Sequence, residues 1–251
     1  MLSIGRSIAL ALAESGADVL LVGSPGGSAP RTEEERSAGW RGVDSVAGEV
    51  RALGRSADAI AADVGDESAV AALRAWALDR GGVDLLVNNA GAARGADRAP
   101  VVDLDIAEWD RVFATNLRGV FLMSRAFGAA MRDAARGGSI INIASIAAKT
   151  ARANSAAYAS SKAAVLALTA AMAKEVAQYG IRVNALCPGL IETSRTHTVS
   201  DEFRQEVLAR IPLGRAGAPI DVAAATVFLA SEGAGWVTGQ TWNIDGGQVM
   251  H

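Results

Sequence analysis

The chain has 251 residues, half of them hydrophobic with alanine prominent and 27 of them glycine, which suits one α/β domain with helices packed closely on a sheet. A net charge of −3 supplies no large positive field for phosphates, which argues against a general nucleic-acid or membrane-surface role. One cysteine, Cys187, excludes an intrachain disulfide and a cysteine-held metal cluster, and it is expected as a small buried residue at a strand end.

The opening M-L-S-I-G-R-S-I-A reads as a glycine-type loop running straight into a helix over residues 3–15, closed by Gly16. Its basic residue, apolar run and A-L-A superficially match a secretory leader, but the run at 8–13 is short for one and carries helical spacing into Glu14 and Gly16. No apolar run approaches the roughly 18 residues of a membrane span, so a soluble cytoplasmic protein is expected. D-V-L-L-V (18–22) is a short apolar strand, and the polar, Gly/Pro-rich stretch after it is a loop. Residues 44–53 read as a helix ended by Gly54, D-A-I-A-A-D-V as a strand, 66–79 as a helix, and V-D-L-L-V-N-N-A-G as a strand running into a turn. Residues 105–134 read as one long helix, with Asp105 and Glu108 at capping-box spacing. G-S-I-I-N-I-A-S is a strand, 155–179 a second long helix ended by Gly180, and I-R-V-N-A-L-C-P-G another strand. A short helix at 199–210, a helix begun by Pro219 and a last strand in T-W-N-I-D-G-G complete the chain.

Strands that are apolar on both faces and alternate with helices imply a parallel sheet covered on both sides. With no composition break or repeat, residues 1–251 are expected to form one doubly wound α/β domain with a substrate loop around 190–212. Ligands of such sheets bind beyond the carboxyl ends of the strands. Polar and Gly/Pro signals do cluster there: N-N-A-G (88–91), Ser145, and C-P-G (187–189). Tyr158 and Lys162 stand four apart on one helix, so both side chains lie on one face. An ammonium near a phenol favours phenolate, and a serine hydroxyl can hydrogen-bond a substrate oxygen, a set suited to moving a proton on and off an alcohol. The only histidines, His197 in a loop and His251 at the end of the chain, offer no base for a serine hydrolase. No metal site is expected.

The set S-I-G-R-S-I-A-L-A-L-A, A-D-V, V-D-L-L-V-N-N-A-G, N-L-R-G, S-I-I-N-I-A-S, Y-A-S-S-K, I-R-V-N-A-L-C-P-G-L-I-E-T and G-Q-T-W-N-I-D-G-G resembles the short-chain dehydrogenases/reductases, in order and spacing, from Ser3 onward. The resemblance implies a Rossmann fold, NAD or NADP as cofactor, a small carbonyl or alcohol substrate, and assembly as a homotetramer or homodimer through the two long helices. It also implies roles. Tyr158 is the general acid in reduction and base in oxidation; Lys162 tunes it and bonds the nicotinamide ribose. Ser145 orients the substrate oxygen, and Asn116 holds a water in the proton relay. Ser3, Ile4 and Gly5 would stand at the pyrophosphate, Ser24 near the ribose, and Asp63 and Val64 at the adenine. Asn89, Ala90 and Gly91 would line the cofactor, and Pro188, Gly189, Ile191 and Thr193 would hold its nicotinamide end. Asp245, Gly246 and Gly247 would be structural.

Two departures matter. The family opens with a strand and T-G-x-x-x-G-x-G, of which only the tail remains here, with Ser3 at the second glycine and Gly5 at the third. The absent strand lies, in the family, between D-V-L-L-V and V-D-L-L-V, so the first strand of the sheet is expected to be missing. Two explanations stay open: a start that lies upstream, or a chain that is short and impaired or non-catalytic. Second, the position where NAD-preferring members carry Asp is Gly23, followed by Ser24, and Arg31, Arg36 and Arg41 come after it, which leans towards NADP. Arg94, Arg98, Arg152, Arg195 and His197 fall in the stretches that should frame the substrate, so an anionic substrate is one reading and exposed surface charge the other. A 3-oxoacyl-carrier-protein reductase that docks an acidic carrier on Arg125, Arg132 and Lys174 is one candidate; a polyol, sugar or xenobiotic dehydrogenase fits equally. A non-catalytic binding relative is the alternative from another class.

Overall fold

A computed structural model describes residues 3–25, 37, 39–194, 196 and 200–250. In chain order the described elements are α1 (Ile4–Glu14), β1 (Val19–Gly23), α2 (Val43–Ala52), β2 (Ala57–Ala61), α3 (Glu67–Leu78), β3 (Leu85–Asn88), α4 (Ile106–Phe113), α5 (Val120–Ala134), β4 (Gly138–Ile143), α6 (Ala156–Val176), β5 (Ile181–Pro188), α7 (Asp201–Leu208), α8 (Pro219–Ala230) and β6 (Thr241–Ile244). They divide into two compact units. One comprises Met1–Ala62, Gly189–Val227 and Ile244–His251, the other Asp63–Pro188 and Phe228–Asn243.

In the first unit β1 and β2 pair in parallel, Val19 opposite Ala57 and Gly23 opposite Ala61. Ser3 begins α1 as its N-cap, its hydroxyl accepting the Arg6 N–H at 3.2 Å. The small and aliphatic residues of α1 then meet α2 and the strands in one cluster, where Ala9, Ala13, Val46, Ala47, Val50 and Ala57 are buried. Asp245 shapes the turn after β6, its carboxylate accepting the N–H groups of Gly247 and Val249.

In the second unit β3, β4, β5 and β6 form a four-stranded sheet in that order. Ile140, Val183, Ala185 and Leu186 of its middle strands are fully buried, and so is Cys187. Asp66 and Asp105 cap α3 and α4 by accepting the Ala69 and Ala107 N–H groups. Glu108 does not complete a capping box with Asp105; its carboxylate pairs with Arg111 at 2.8 Å instead. The stretch expected as one long helix is helical throughout but contains a π-helical turn, Ala114–Gly119, between α4 and α5. Such a turn inserts a residue and re-aims backbone groups, and asparagine is a poor α-helix former in its middle.

Among the described residues no ladder joins β1 to β3. All five residues of β1 are half-buried, whereas β4 is buried from Ser139 to Ile143.

Candidate active site

The four residues expected to carry the chemistry all lie in the second unit. Tyr158 and Lys162 stand one turn apart on α6, whose N-terminal half follows the carboxyl end of β4. Lys162 is buried, and its Nζ donates to the Ile143 carbonyl at 2.8 Å. Ser145 opens the short turn after β4, where its Oγ accepts the Ala147 N–H at 3.1 Å. Asn116 is fully buried within the π turn. Its Oδ1 accepts the Ala92 N–H at 2.8 Å and its Nδ2 donates to Ser161 Oγ at 3.1 Å. Ser161 in turn donates to the Tyr158 carbonyl at 2.8 Å. One buried chain of hydrogen bonds therefore ties the turn after β3, the π turn and the helix that carries Tyr158.

Behind it lies a second buried network. Asn88 Nδ2 donates to Ser124 Oγ and to Asn142 Oδ1, and Asn142 Nδ2 donates to Thr169 Oγ1. Buried polar groups that are fully paired fix a unique arrangement of the elements they join. Ser161 and Asn142 escaped the sequence reading. Ser161 sits inside Y-A-S-S-K, and its position on the helix turn after Tyr158 was the available signal.

The expected cofactor residues divide between the units. In the second, Asp63 Oδ1 accepts the Gly65 N–H at 2.8 Å, and Val64 packs so tightly on Gly119 that a Cβ there would fall 2.7 Å from Val64 Cγ2. Asn89 and Ala90 are exposed, Gly91 is half-exposed, and Pro188 is buried at the end of β5. In the first unit Ser3, Ile4 and Gly5 form the start of α1. Gly189 donates to the Ile244 carbonyl, and a Cβ on it would meet Asp245 at 2.8 Å. Ile191 bridges to Gly217, and Thr193 takes the Thr196 hydroxyl as its N–H partner. Ser24 is exposed beyond β1. A Cβ on Gly23 would lie 3.0 Å from both methyls of Val43, so glycine there is a packing requirement as well as a missing carboxylate. Arg31, Arg36, Arg195 and His197 lie outside the described residues.

Among the arginines near the expected substrate stretch, Arg98 has its guanidinium carbon 4.7 Å above the Tyr158 ring centroid. Arg111 is held by Glu108 and by the Ala93 carbonyl; the Glu108 hydrogen bond keeps its guanidinium more firmly protonated than usual, with burial opposing this. Two of the cations considered for docking a carrier are already paired, Arg125 with Glu67 at 3.1 Å and Arg132 with Asp133 at 2.9 Å. One described helix, Ala156–Tyr179, is long and apolar enough to cross a membrane by length and composition; it includes α6 and carries the buried Lys162, Val165 and Thr169. No group of three or more metal-ligating side chains occurs among the described residues.

Strands paired in parallel and alternating with helices are those of a Rossmann-type α/β fold, with Ser145 after β4 and Tyr158 and Lys162 on α6. The family model described as enoyl-(acyl carrier protein) reductase matches residues 1–249, and the chain belongs to the short-chain dehydrogenase/reductase family. It is 39% identical over 249 residues to the 3-oxoacyl-(acyl-carrier-protein) reductase FabG of Staphylococcus aureus, with 98% of this chain and 94% of the relative covered. The enzyme of the same name from Vibrio cholerae is also 39% identical, over 98% of this chain and 93% of its own. A solved structure of 7α-hydroxysteroid dehydrogenase, complexed with NADH and 7-oxo glycochenodeoxycholic acid, superposes with a TM-score of 0.85 at 34% identity, covering 99% of this chain and 91% of that one. The protein is thus an oxidoreductase that uses a nicotinamide cofactor and acts on CH–OH groups.

Proposed function

We propose that this protein interconverts a secondary alcohol and a ketone with Tyr158 as the proton donor and acceptor. The observation that carries this is the placement of Tyr158 one helical turn from the buried Lys162, next to the strand end that presents Ser145. The Tyr158 hydroxyl gives its proton to the substrate oxygen in reduction and recovers it in oxidation. Lys162 holds positive charge beside the phenol, and Ser145 hydrogen-bonds the same substrate oxygen. Asn116 keeps the π turn and α6 in register through Ser161. The bound nicotinamide supplies the hydride.

The residues fit such a cofactor. The first amides of α1, at Ile4 and Gly5, begin an 11-residue helix, where backbone N–H groups suit a pyrophosphate. Asp63, Val64, Asn89, Ala90, Gly91, Pro188, Gly189, Ile191 and Thr193 take the remaining contacts in this reading, across a single nucleotide-binding domain of residues 1–251 with its substrate loop around 190–212. Gly23 and Ser24 present no carboxylate to a 2′-phosphate, which favours NADP. Fluorescence titration with NADPH and NADH tests this: tighter NADPH binding is expected, and Gly23→Asp is expected to weaken NADPH at least tenfold relative to Gly23→Ala, which carries the same Cβ contact with Val43. A strong NADH preference in the unaltered protein reverses the assignment.

A 3-oxoacyl thioester on a carrier protein is the second reading of the substrate, favoured by the two named relatives at 39% identity. The pairing of Arg125 and Arg132 within the chain leaves that docking surface weaker than its charges alone suggest.

The protein is also proposed to be cytoplasmic and to self-associate. Phe113, Leu117 and Phe121 run along one face of the α4–α5 segment and, with Leu168 of α6, line an open groove of about 500 Å³. Asp110 and Arg118 flank the stripe, so a second copy related by a twofold axis would bring opposite charges together. Sedimentation velocity at micromolar concentration is expected to show a dimer or tetramer, and Phe121→Glu a smaller species. A monomer in the unaltered protein removes this part of the reading.

A further inference from the structure

Asp97 is a carboxylate with 1% exposure, in the loop that follows β3. Burying such a charge is costly unless it is paired and hydrogen-bonded. It accepts the Gly95 N–H at 2.8 Å, and it lies 3.2 Å from Arg98 Nε and 3.5 Å from Arg111 Nη2. Arg111 is itself fixed by Glu108 and by the Ala93 carbonyl. The loop is therefore clamped from both sides, and the clamp sets where Arg98 points: its guanidinium lies over the face of Tyr158.

The donors of that guanidinium are little used. Arg98 Nε is buried and makes no hydrogen bond, its approach to Asp97 being an ion pair without good N–H alignment. Its terminal amino groups make no hydrogen bond to a described residue. The Tyr158 ring attracts the cation through its π face but accepts none of its five N–H groups in the usual way. With 28% of the side chain exposed, these donors are open to a ligand that reaches Tyr158. The surrounding charges balance, Asp97 and Glu108 against Arg98 and Arg111, so an incoming anion meets no net negative charge from the clamp.

We infer that Arg98 is a specificity-determining residue that binds a carboxylate carried by the substrate close to the reacting carbon, so that the substrates are short keto acids and hydroxy acids. The inference rests on the reading of Tyr158 as the proton donor and acceptor. The planar fork of a guanidinium matches a carboxylate in a bidentate pair, which fixes orientation as well as position. A molecule anchored at Arg98 turns its carbonyl towards the phenol that Arg98 covers. The carboxylate takes no part in the bond changes; it is the handle by which the reacting oxygen is placed. A neutral ketone or a thioester would offer the Arg98 guanidinium no second carboxylate beside Asp97.

The test is a panel of short 2-oxo and 3-oxo acids, each paired with its methyl ester, together with a 3-oxoacyl thioester. Oxidation of NADPH and NADH is followed for the unaltered protein and for Arg98→Met and Arg98→Lys. Cofactor binding by each protein is measured separately by fluorescence. For at least one pair, kcat/KM for the acid is expected to exceed that for the ester by about 10- to 100-fold. Arg98→Met is expected to reduce that ratio at least tenfold whatever it does to the absolute rates, and Arg98→Lys to give an intermediate ratio. Esters, neutral ketones or the thioester reduced as well as the acids, an unchanged ratio in Arg98→Met, or bound cofactor with no acid reduced would each overturn the inference and leave the oxidoreductase reading in place. If neither cofactor binds and none is consumed, the oxidoreductase reading fails and the role of Arg98 falls with it.

Discussion

The four-stranded sheet β3–β6 and the two-stranded ladder β1–β2 are built from the same kind of sequence, short runs of small and aliphatic residues, yet they end in different environments. The middle strands β4 and β5 each have a neighbour on both edges and are almost wholly buried. Among the described residues strand β1 has one neighbour, and it is half-buried along its length. The residues proposed to transfer the proton belong to the first of these regions, where Asn88, Asn116, Asn142, Ser161 and Thr169 are locked in paired, buried networks. The residues expected at the pyrophosphate belong to the second. A reacting oxygen must be placed to a fraction of an ångström, whereas a phosphate can be held by amides that a helix end supplies regardless.

The sharpest break of this comparison is in activity. Tyr158→Phe is expected to lower turnover by about 10²–10⁴-fold while cofactor binding persists, because it removes one proton donor and leaves the first unit untouched. Parallel fluorescence titration and turnover measurements check this; equal loss of both would place Tyr158 in binding.

Stability gives the next largest contrast. Ile141 in β4 is fully buried, and Ile141→Ala is expected to cost about 2–5 kcal/mol in urea unfolding. Leu21 in β1 is only partly buried, so Leu21→Ala should cost about half as much. Equal costs would show that the two ladders are equally well packed.

The smallest effect is a pH dependence in the first unit. Arg215 binds Asp221 through two nitrogens, at 2.8 and 3.2 Å, and the Ala218 N–H adds a third bond. These hold the Asp221 carboxyl below its ordinary value of 3.8, the Arg215 hydrogen bond leading and burial opposing. The folded state therefore binds that proton less readily than the unfolded chain. The stabilisation is present above the unfolded value and is lost as pH falls through the lower folded one. Thermal unfolding of Asp221→Asn should accordingly lose less stability on acidification below pH ~4 than the unaltered protein does.

The elements and their order were legible because their signals are local. Gly16, Gly54 and Gly180 close helices or their last turns in the left-handed conformation that glycine favours, and Asp66 and Asp105 cap the helices they precede. The positions of Tyr158 and Lys162 on one helix and of Ser145 past β4 were legible from local spacing, whereas Asn116 joined them only through the family resemblance.

Long-range packing decided the rest. Asn116 and Gly119 weaken the α-helix locally but do not dictate a π turn at Ala114–Gly119; it forms where Asn116 bonds Ala92 and Ser161 and where Val64 seats against Gly119. Glu108 had two local partners on offer, and the tertiary site of Arg111 beside Asp97 goes with the choice it made. The sequence by itself determined which residue types could move a proton and which segments would carry them, because helical and strand periods are written in neighbouring residues. Only the tertiary structure decided that Asp97 is buried and that Arg98 lies on Tyr158, because burial and charge pairing depend on which distant segments the fold brings together.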